Sequence, residues 1–277
     1  MRDKEIEGYD LFEQRFHLMH HNSFFHILIS LIAGIYFVFL GTIIACLLTA
    51  TSLNEFINNI KSPEILSSII ISLETSIAVV ILALIFGIPV AYLLATRRFK
   101  GKIILDTLID LPIISPPLVC GLAILIAFGG QGLYSQFDVI FTKKGIIIAQ
   151  LFVASPFLIR SARIAFESID QDILTAARTL GASEFYTFRN VSLPLARNGI
   201  ISGIIMTWAR ALGEFGATAM VAGCIPYKTE TMTIGIYMHA LSGNLDASVA
   251  LSLLLIVSAF TTLIVFKYFG RYNDSIK

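Results

Sequence analysis

The chain is poor in charge. Asp, Glu, Lys and Arg make up 14% of its 277 residues, against about a quarter in a soluble domain. Little of it can form a water-facing domain. The net charge is +1, which offers no basic face for nucleic acid. Cys46, Cys120 and Cys224 are scattered in or beside apolar runs. With no Cys-x-x-Cys and no Cys/His cluster, neither a disulfide framework nor a metal centre is suggested. No Gly-x-x-x-x-Gly-Lys-Ser/Thr loop occurs, so this chain binds no ATP through that motif. There is no His-Glu-x-x-His and no Ser or Cys nucleophile in a recognisable motif, so an intramembrane enzyme has nothing to work with. No repeat of 20–50 residues appears, and no inverted pair of broken helices of the kind used by secondary carriers.

What is there is apolar: 56% of residues are hydrophobic and mean hydropathy is +0.80. A helix needs about 20 apolar residues to cross a bilayer. Six stretches qualify, at about 24–48, 75–94, 111–128, 145–164, 199–222 and 247–266. Residues 1–23 form a polar N-terminal segment. They are too long and too acidic for the leading part of a signal peptide, and 24–277 reads as one membrane domain. Residues 52–72, with Pro63, are expected on the outer surface, and Asp106 and Asp110 in an interfacial lead-in to the third span. Arg160 and Arg163 are expected to snorkel at the inner end of the fourth. His17, His20, His21 and His26 crowd the first boundary, as a solvated face or, alternatively, a cytoplasmic metal site. His239 stands apart.

Charge fixes an orientation. With the N-terminus inside, fifteen of the twenty Lys and Arg fall on inner segments. Lys61, Lys143, Lys144 and Lys228 fall outside, and Arg210 lies within a span. The positive-inside rule therefore places both termini, and the loop at about 165–197, in the cytoplasm of a multi-pass protein.

That loop organises the chain. Ser168 and Gln171 have capping-box spacing. Ile173, Ala176, Ala177 and Leu180 share one helical face. Gly181 sits where a left-handed residue closes a helix. Ser183 can cap a second short helix that carries Glu184, Phe185, Tyr186 and Phe188, and Pro194 is expected to stop it. A polar helical hairpin tipped with aromatics reads as a docking surface.

Two further stretches stand out. Arg210 and Glu214 are spaced i, i+4 in the fifth span, on one face of a helix. Gly213 and Gly216 bracket them and can allow close helix approach. The pair is either a self-neutralising packing element or part of a path for a hydrophilic anion; the two are compatible. Pro112, Pro116 and Pro117 must kink or interrupt the third span, as a packing kink or along a water-filled cavity.

Thr175-Ala176-Ala177, Gly181 and Val191-Ser192-Leu193-Pro194 resemble the "EAA" loop of permease subunits of ATP-binding-cassette (ABC) importers, with Thr175 where that family usually has Glu. Arg-Ala-Leu-Gly-Glu-Phe-Gly-Ala-Thr (residues 210–218) and Asp110-Leu-Pro-Ile-Ile-Ser-Pro-Pro-Leu-Val-Cys-Gly121 are similar to segments of the permeases for tetrahedral oxyanions. The resemblance covers about Thr75 to Phe266. It implies an all-α, six-span permease of the type I importer fold in a prokaryotic cell membrane. It implies that Thr175, Ala176, Ala177, Gly181, Ala182, Ser183, Glu184, Phe185, Tyr186, Phe188 and Pro194 form a coupling loop that enters a groove on a separate ATPase. The expected partners are two ATPase copies, a second copy of this chain, an extracytoplasmic oxyanion-binding protein and lipid. ATP and Mg belong to the ATPase; this chain carries no cofactor. The expected cargo is molybdate or tungstate, with sulfate or thiosulfate as the alternative. The rival of another class is an ion-coupled carrier or channel, which leaves the aromatic hairpin without a role.

Overall fold

A computed structural model describes the backbone of residues 2–274 and the side chains of residues 25–262 and 264. The side chains of His17, His20 and His21 and the terminal charges lie outside the described residues. All regular structure among the described residues is helical. The chain divides into two units, residues 1–52 and 53–277.

The first unit is one helix, α1 (Arg2–Thr49). Its stretch Phe25–Thr49 is long and apolar enough to cross a membrane, and none of it is buried. A helix that is apolar all round is suited to lipid.

The second unit begins with α2 (Leu53–Ile60) and α3 (Pro63–Thr96). The second span was expected to start near Thr75, but α3 starts twelve residues earlier. Ser62 caps it by accepting from the Ile65 amide, and Pro63 sits at the first helical position, where its missing N–H costs nothing. Pro63 therefore opens the helix rather than marking a surface piece. The 34 residues of α3 span about 50 Å at about 1.5 Å per residue, more than the about 30 Å of a hydrocarbon core.

Next come α4 (Lys102–Ile114) and α5 (Pro117–Phe128). They meet at a 115° bend. Pro116 caps α5 and Pro117 opens it, whereas Pro112 stays within α4. The two C-terminal prolines break the span and the first does not. After a loop comes α6 (Lys143–Glu167), which packs along α3. Arg160 lies 3.3 Å from Asp110, and Arg163 pairs with Asp106 and, at 2.8 Å, with Glu167. These arginines do not simply snorkel. They tie α6 to the lead-in helix α4.

Then follow α7 (Gln171–Thr179), α8 (Glu184–Thr187), a π-turn (Phe188–Ser192), α9 (Leu193–Leu195), α10 (Arg197–Leu212), α11 (Gly216–Ala222), α12 (Met232–Leu241) and α13 (Leu245–Asp274). The core joins α3, α6 and α10 through Ala83, Ala91, Leu158, Ala162, Phe166 and Ile200. Small residues let these helices approach closely, as is usual where lipid removes the hydrophobic drive between helices. Where α5 crosses α11, a Cβ on Gly121 would fall 2.7 Å from the Met220 Cβ and 2.8 Å from the Ala217 Cα.

Among the described residues, four helices can cross a membrane by length and composition, and α4 with α5 makes a fifth if the bent pair counts as one. The expected span over 199–222 is not a continuous helix: α10 stops at Leu212 and α11 restarts at Gly216.

Candidate functional site

The loop between α6 and α10 is built from local rules and then fixed by distant ones. The cap of α7 is Asp170, whose carboxylate accepts from the Asp172 amide at 2.9 Å. Ser168, the expected cap, donates instead to the Ala165 carbonyl and closes α6. At the far end, the Ala182 amide donates to the Ala177 carbonyl at 3.1 Å and the Gly181 amide to the Arg178 carbonyl at 3.0 Å. This is a Schellman closure. It requires the left-handed backbone that Gly181 supplies at φ +86°. Ser183 then caps α8 by accepting from the Tyr186 amide at 3.2 Å. Pro194 does not stop the chain's helical course. The Leu193 amide reaches back to Phe188 in the π-turn, Pro194 sits in α9, and α10 begins at Arg197. A widened turn is a usual way to accommodate a residue that cannot donate to its i−4 carbonyl.

The expected apolar face of α7 is not its buried face. Leu174 is the buried residue of this helix. It joins the α3–α6 core, which contributes about 1.5–3 kcal/mol to anchoring the loop. Ile173, Ala176 and Leu180 face outward, and Ala177 is half-buried. Thr175 is exposed, and its hydroxyl donates to the Gln171 carbonyl at 2.8 Å. The three aromatics divide. Phe188 turns inward, 4.7 Å from the Tyr92 ring, which in turn lies 5.3 Å from Phe166. Phe185 and Tyr186 are 69% and 56% exposed, and Leu180 is 88% exposed. Glu184 receives both its hydrogen bonds from one Arg97 nitrogen, at 2.7 and 2.9 Å. Both side chains are largely exposed, so this pair is worth about 0–1 kcal/mol and sets direction more than stability. A cavity of about 500 Å³ lies between α3 and α8, lined by Tyr92, Thr96, Arg97, Glu184 and Phe188 among others. The outcome is three exposed apolar side chains, Leu180, Phe185 and Tyr186, on a loop anchored to the α3–α6 core through Leu174 and Phe188.

The second candidate element is the break between α10 and α11. The i, i+4 pair is present: Arg210 Nη2 lies 2.6 Å from Glu214 Oε2. The approach is that of an ion pair without hydrogen-bond alignment, since Oε2 is a buried acceptor with no aligned donor among the described residues. Glu214 is 1% exposed. Its other oxygen accepts from the Ala217 amide at 2.8 Å. Glu214 therefore caps the start of α11 while it neutralises the end of α10, a double role that a continuous helix would not have. The Glu214 carbonyl accepts from the Thr233 hydroxyl at 2.8 Å, which ties the break to α12. Gly216 does permit close approach, with its virtual Cβ 3.2 Å from Pro117. Gly213 ends α10, and a Cβ there would meet only the Ala209 carbonyl within 4 Å.

Residues 87–273 match the family described as binding-protein-dependent transport system inner membrane component. The chain belongs to that family. Among its relatives, the molybdate/tungstate transport system permease protein WtpB of Thermococcus kodakarensis is 35% identical over 225 residues, 81% of this chain and 87% of that protein. The molybdenum transport system permease protein ModB of Escherichia coli is 34% identical over 214 residues, 74% and 93% of the two chains. A chain in the crystal structure of a bacterial alginate ABC transporter in complex with an alginate pentasaccharide-bound periplasmic protein superposes with a TM-score of 0.67. That match covers 88% of this chain and 93% of that one at 17% identity, a likeness of fold alone. The architecture is that of type I ABC importer permeases.

For a permease of this family the informative residues include several that sequence reasoning missed. Arg97, Tyr92 and Leu174 hold the loop in place. Only Leu174 left a trace in the sequence, as an apolar residue inside α7. The polar segment Thr229-Glu230-Thr231 is buried.

Proposed function

We propose that this chain is the membrane-spanning permease subunit of an ATP-driven importer for a tetrahedral oxyanion, molybdate or tungstate. The chain is a transport subunit and not an enzyme. ATP is hydrolysed on a separate partner, which carries the nucleotide and Mg. Two copies of the chain form the pathway, each receives one ATPase, and an extracytoplasmic protein delivers the oxyanion. Both termini and the 165–197 loop face the cytoplasm.

The observation that carries this reading is the mounting of Leu180, Phe185 and Tyr186. Three apolar side chains stay exposed while Leu174 and Phe188 lock the loop into the core of α3 and α6. A rigid mount transmits displacement of the docked partner to the helices, which is what alternating access requires. The cargo follows from the relatives named above. The break at Glu214 supports a role in the path, because irregular backbone at membrane depth is tolerated where it is buried in protein or lines a cavity.

Co-expression with a candidate ATPase tests the reading. Tyr186→Ala with Phe185→Ala should cut retention of the ATPase on the purified permease at least tenfold, since aromatic anchors at an interface are often worth about 2 kcal/mol or more each. Unchanged retention in the double variant would remove the docking role.

A further inference from the structure

At the other end of α3 from the docking loop, three residues distant in sequence converge. One carboxylate oxygen each of Glu64 and Glu230 and one imidazole nitrogen of His239 lie within 4.8 Å of one another. Glu64 is in the first turn of α3, Glu230 just precedes α12, and His239 is in the last turn of α12. We infer that Glu64, Glu230 and His239 form a binding site for a borderline divalent cation, Zn²⁺ being the best fit, which clips α3 to α12.

Burial carries the argument beyond proximity. Glu230 is 2% exposed. A carboxylate taken from water must either take up a proton or meet a cation, and no Lys or Arg pairs with it among the described residues. The imidazole Nε2 of His239 is itself buried and has no hydrogen-bond partner. A buried carboxylate that has only a neutral donor, Ser68, close to a partly buried imidazole is costly unless something joins them. A divalent cation does so, and imidazole with two carboxylates is a donor set that suits zinc.

The surroundings are also shaped for the carboxylate. Ser68 donates its hydroxyl to Glu230 Oε1 at 3.1 Å, which leaves the carboxylate oriented as outer-shell hydrogen bonds orient metal ligands. Gly235 leaves room for it: a Cβ there would lie 3.0 Å from the same oxygen and 2.9 Å from Leu251 Cδ1. Three protein ligands leave a fourth position for water. The site joins the first turn of α3 to the α11–α12 connection and to α12, at the opposite end of α3 from Arg97, which pairs with Glu184 of the loop. It is independent of which oxyanion is carried.

The test uses the full chain in detergent, without a polyhistidine tag, stripped with chelator and then titrated with Zn²⁺. His17, His20, His21 and His26 are replaced by Gln in the background, because they are a second possible zinc ligand set. This background should bind one Zn²⁺ per chain at micromolar concentration. Its unfolding temperature should rise by on the order of 5 °C at a hundredfold excess over Kd. His239→Ala should abolish the shift, and Glu64→Gln should weaken binding at least tenfold. Should His239→Ala fail to fold, Glu64→Gln and Co²⁺ absorption decide: visible bands in the background that vanish in Glu64→Gln support the site. Saturation only at millimolar zinc, or equal affinity in the background and in Glu64→Gln, overturns it.

Discussion

Replacing Gly181 by Val should uncouple the docking loop while leaving the helical bundle intact. The two effects separate because of the local geometry. Gly181 has φ +86°, a conformation that glycine adopts freely and a β-branched residue does not. A Cβ at this position meets nothing within 4 Å, so the substitution brings no clash with the core. The whole cost is backbone strain, on the order of 1–3 kcal/mol, equivalent to about a 5–150-fold change in an equilibrium. The strain acts on the Schellman closure, the hinge between Leu180 and the pair Phe185 and Tyr186. If the backbone relaxes to negative φ, the hydrogen bond from Ala182 to Ala177 is lost and the three side chains shift relative to one another. A graded series sharpens the test. Gly181→Asn should be mild, because Asn tolerates the left-handed region, Ala intermediate and Val worst. The assay is retention of the ATPase on the purified permease, together with ATP-driven uptake in proteoliposomes. Retention should fall in the order Gly, Asn, Ala, Val while expression and unfolding temperature stay near wild type. Equal retention across the series would refute the reasoning, as would loss of folding in the Val variant with no prior loss in Asn.

Three other outcomes follow from the geometry. Glu214→Gln keeps an acceptor for the Ala217 amide but leaves Arg210 without its charge partner; breaking a buried pair costs about 3–5 kcal/mol, and the partial exposure of Arg210 sets that as an upper bound. Transport or expression should drop, and normal uptake by both Glu214→Gln and Arg210→Gln would show the pair to be dispensable. Gly121→Val forces α5 away from α11, where even a Cβ is too close; overpacking of this kind costs about 1–3 kcal/mol, read as a lower unfolding temperature, and an unchanged one would contradict the packing. Single cysteines at 100 and 144, in a background without native cysteines, test orientation in intact cells: an impermeant reagent should label 144 and spare 100, and the reverse pattern would invert the topology.

The features legible in the sequence are those written in adjacent residues. Gly181 and Ser183 declare a helix end and a helix start by residue type, and both stand where expected. Pro116 and Pro117 break the third span for a local reason, the missing N–H. The spacing of Arg210 and Glu214 brings them together as a helical face should. What was not legible depends on residues far away. The run Arg210 to Gly216 has helical spacing, yet the helix stops because Glu214 caps α11 and its carbonyl is claimed by Thr233. Phe188 was grouped with Phe185 and Tyr186, but Tyr92 and Phe166, on other helices, draw it inward. Arg160 and Arg163 looked like snorkelling ends until α4 brought Asp110 and Asp106 beside them. Thr229 to Thr231 is a run of polar residues, and nothing in its composition signals burial. It is buried because neighbouring polar groups are met across the bundle, with Ser68 on Glu230 and the Ser72 hydroxyl accepting from the Met232 amide at 2.7 Å.

The central claim is that this permease moves an oxyanion only when a docked ATPase drives it. The direct measurement is uptake of isotopically labelled molybdate into proteoliposomes that hold the permease with its ATPase, with binding protein on the outside and ATP inside. The account predicts uptake that requires ATP, the ATPase and the binding protein together, that tungstate suppresses and that excess sulfate does not. Uptake driven by an ion gradient with the permease alone, or uptake of sulfate in preference to molybdate, would contradict it.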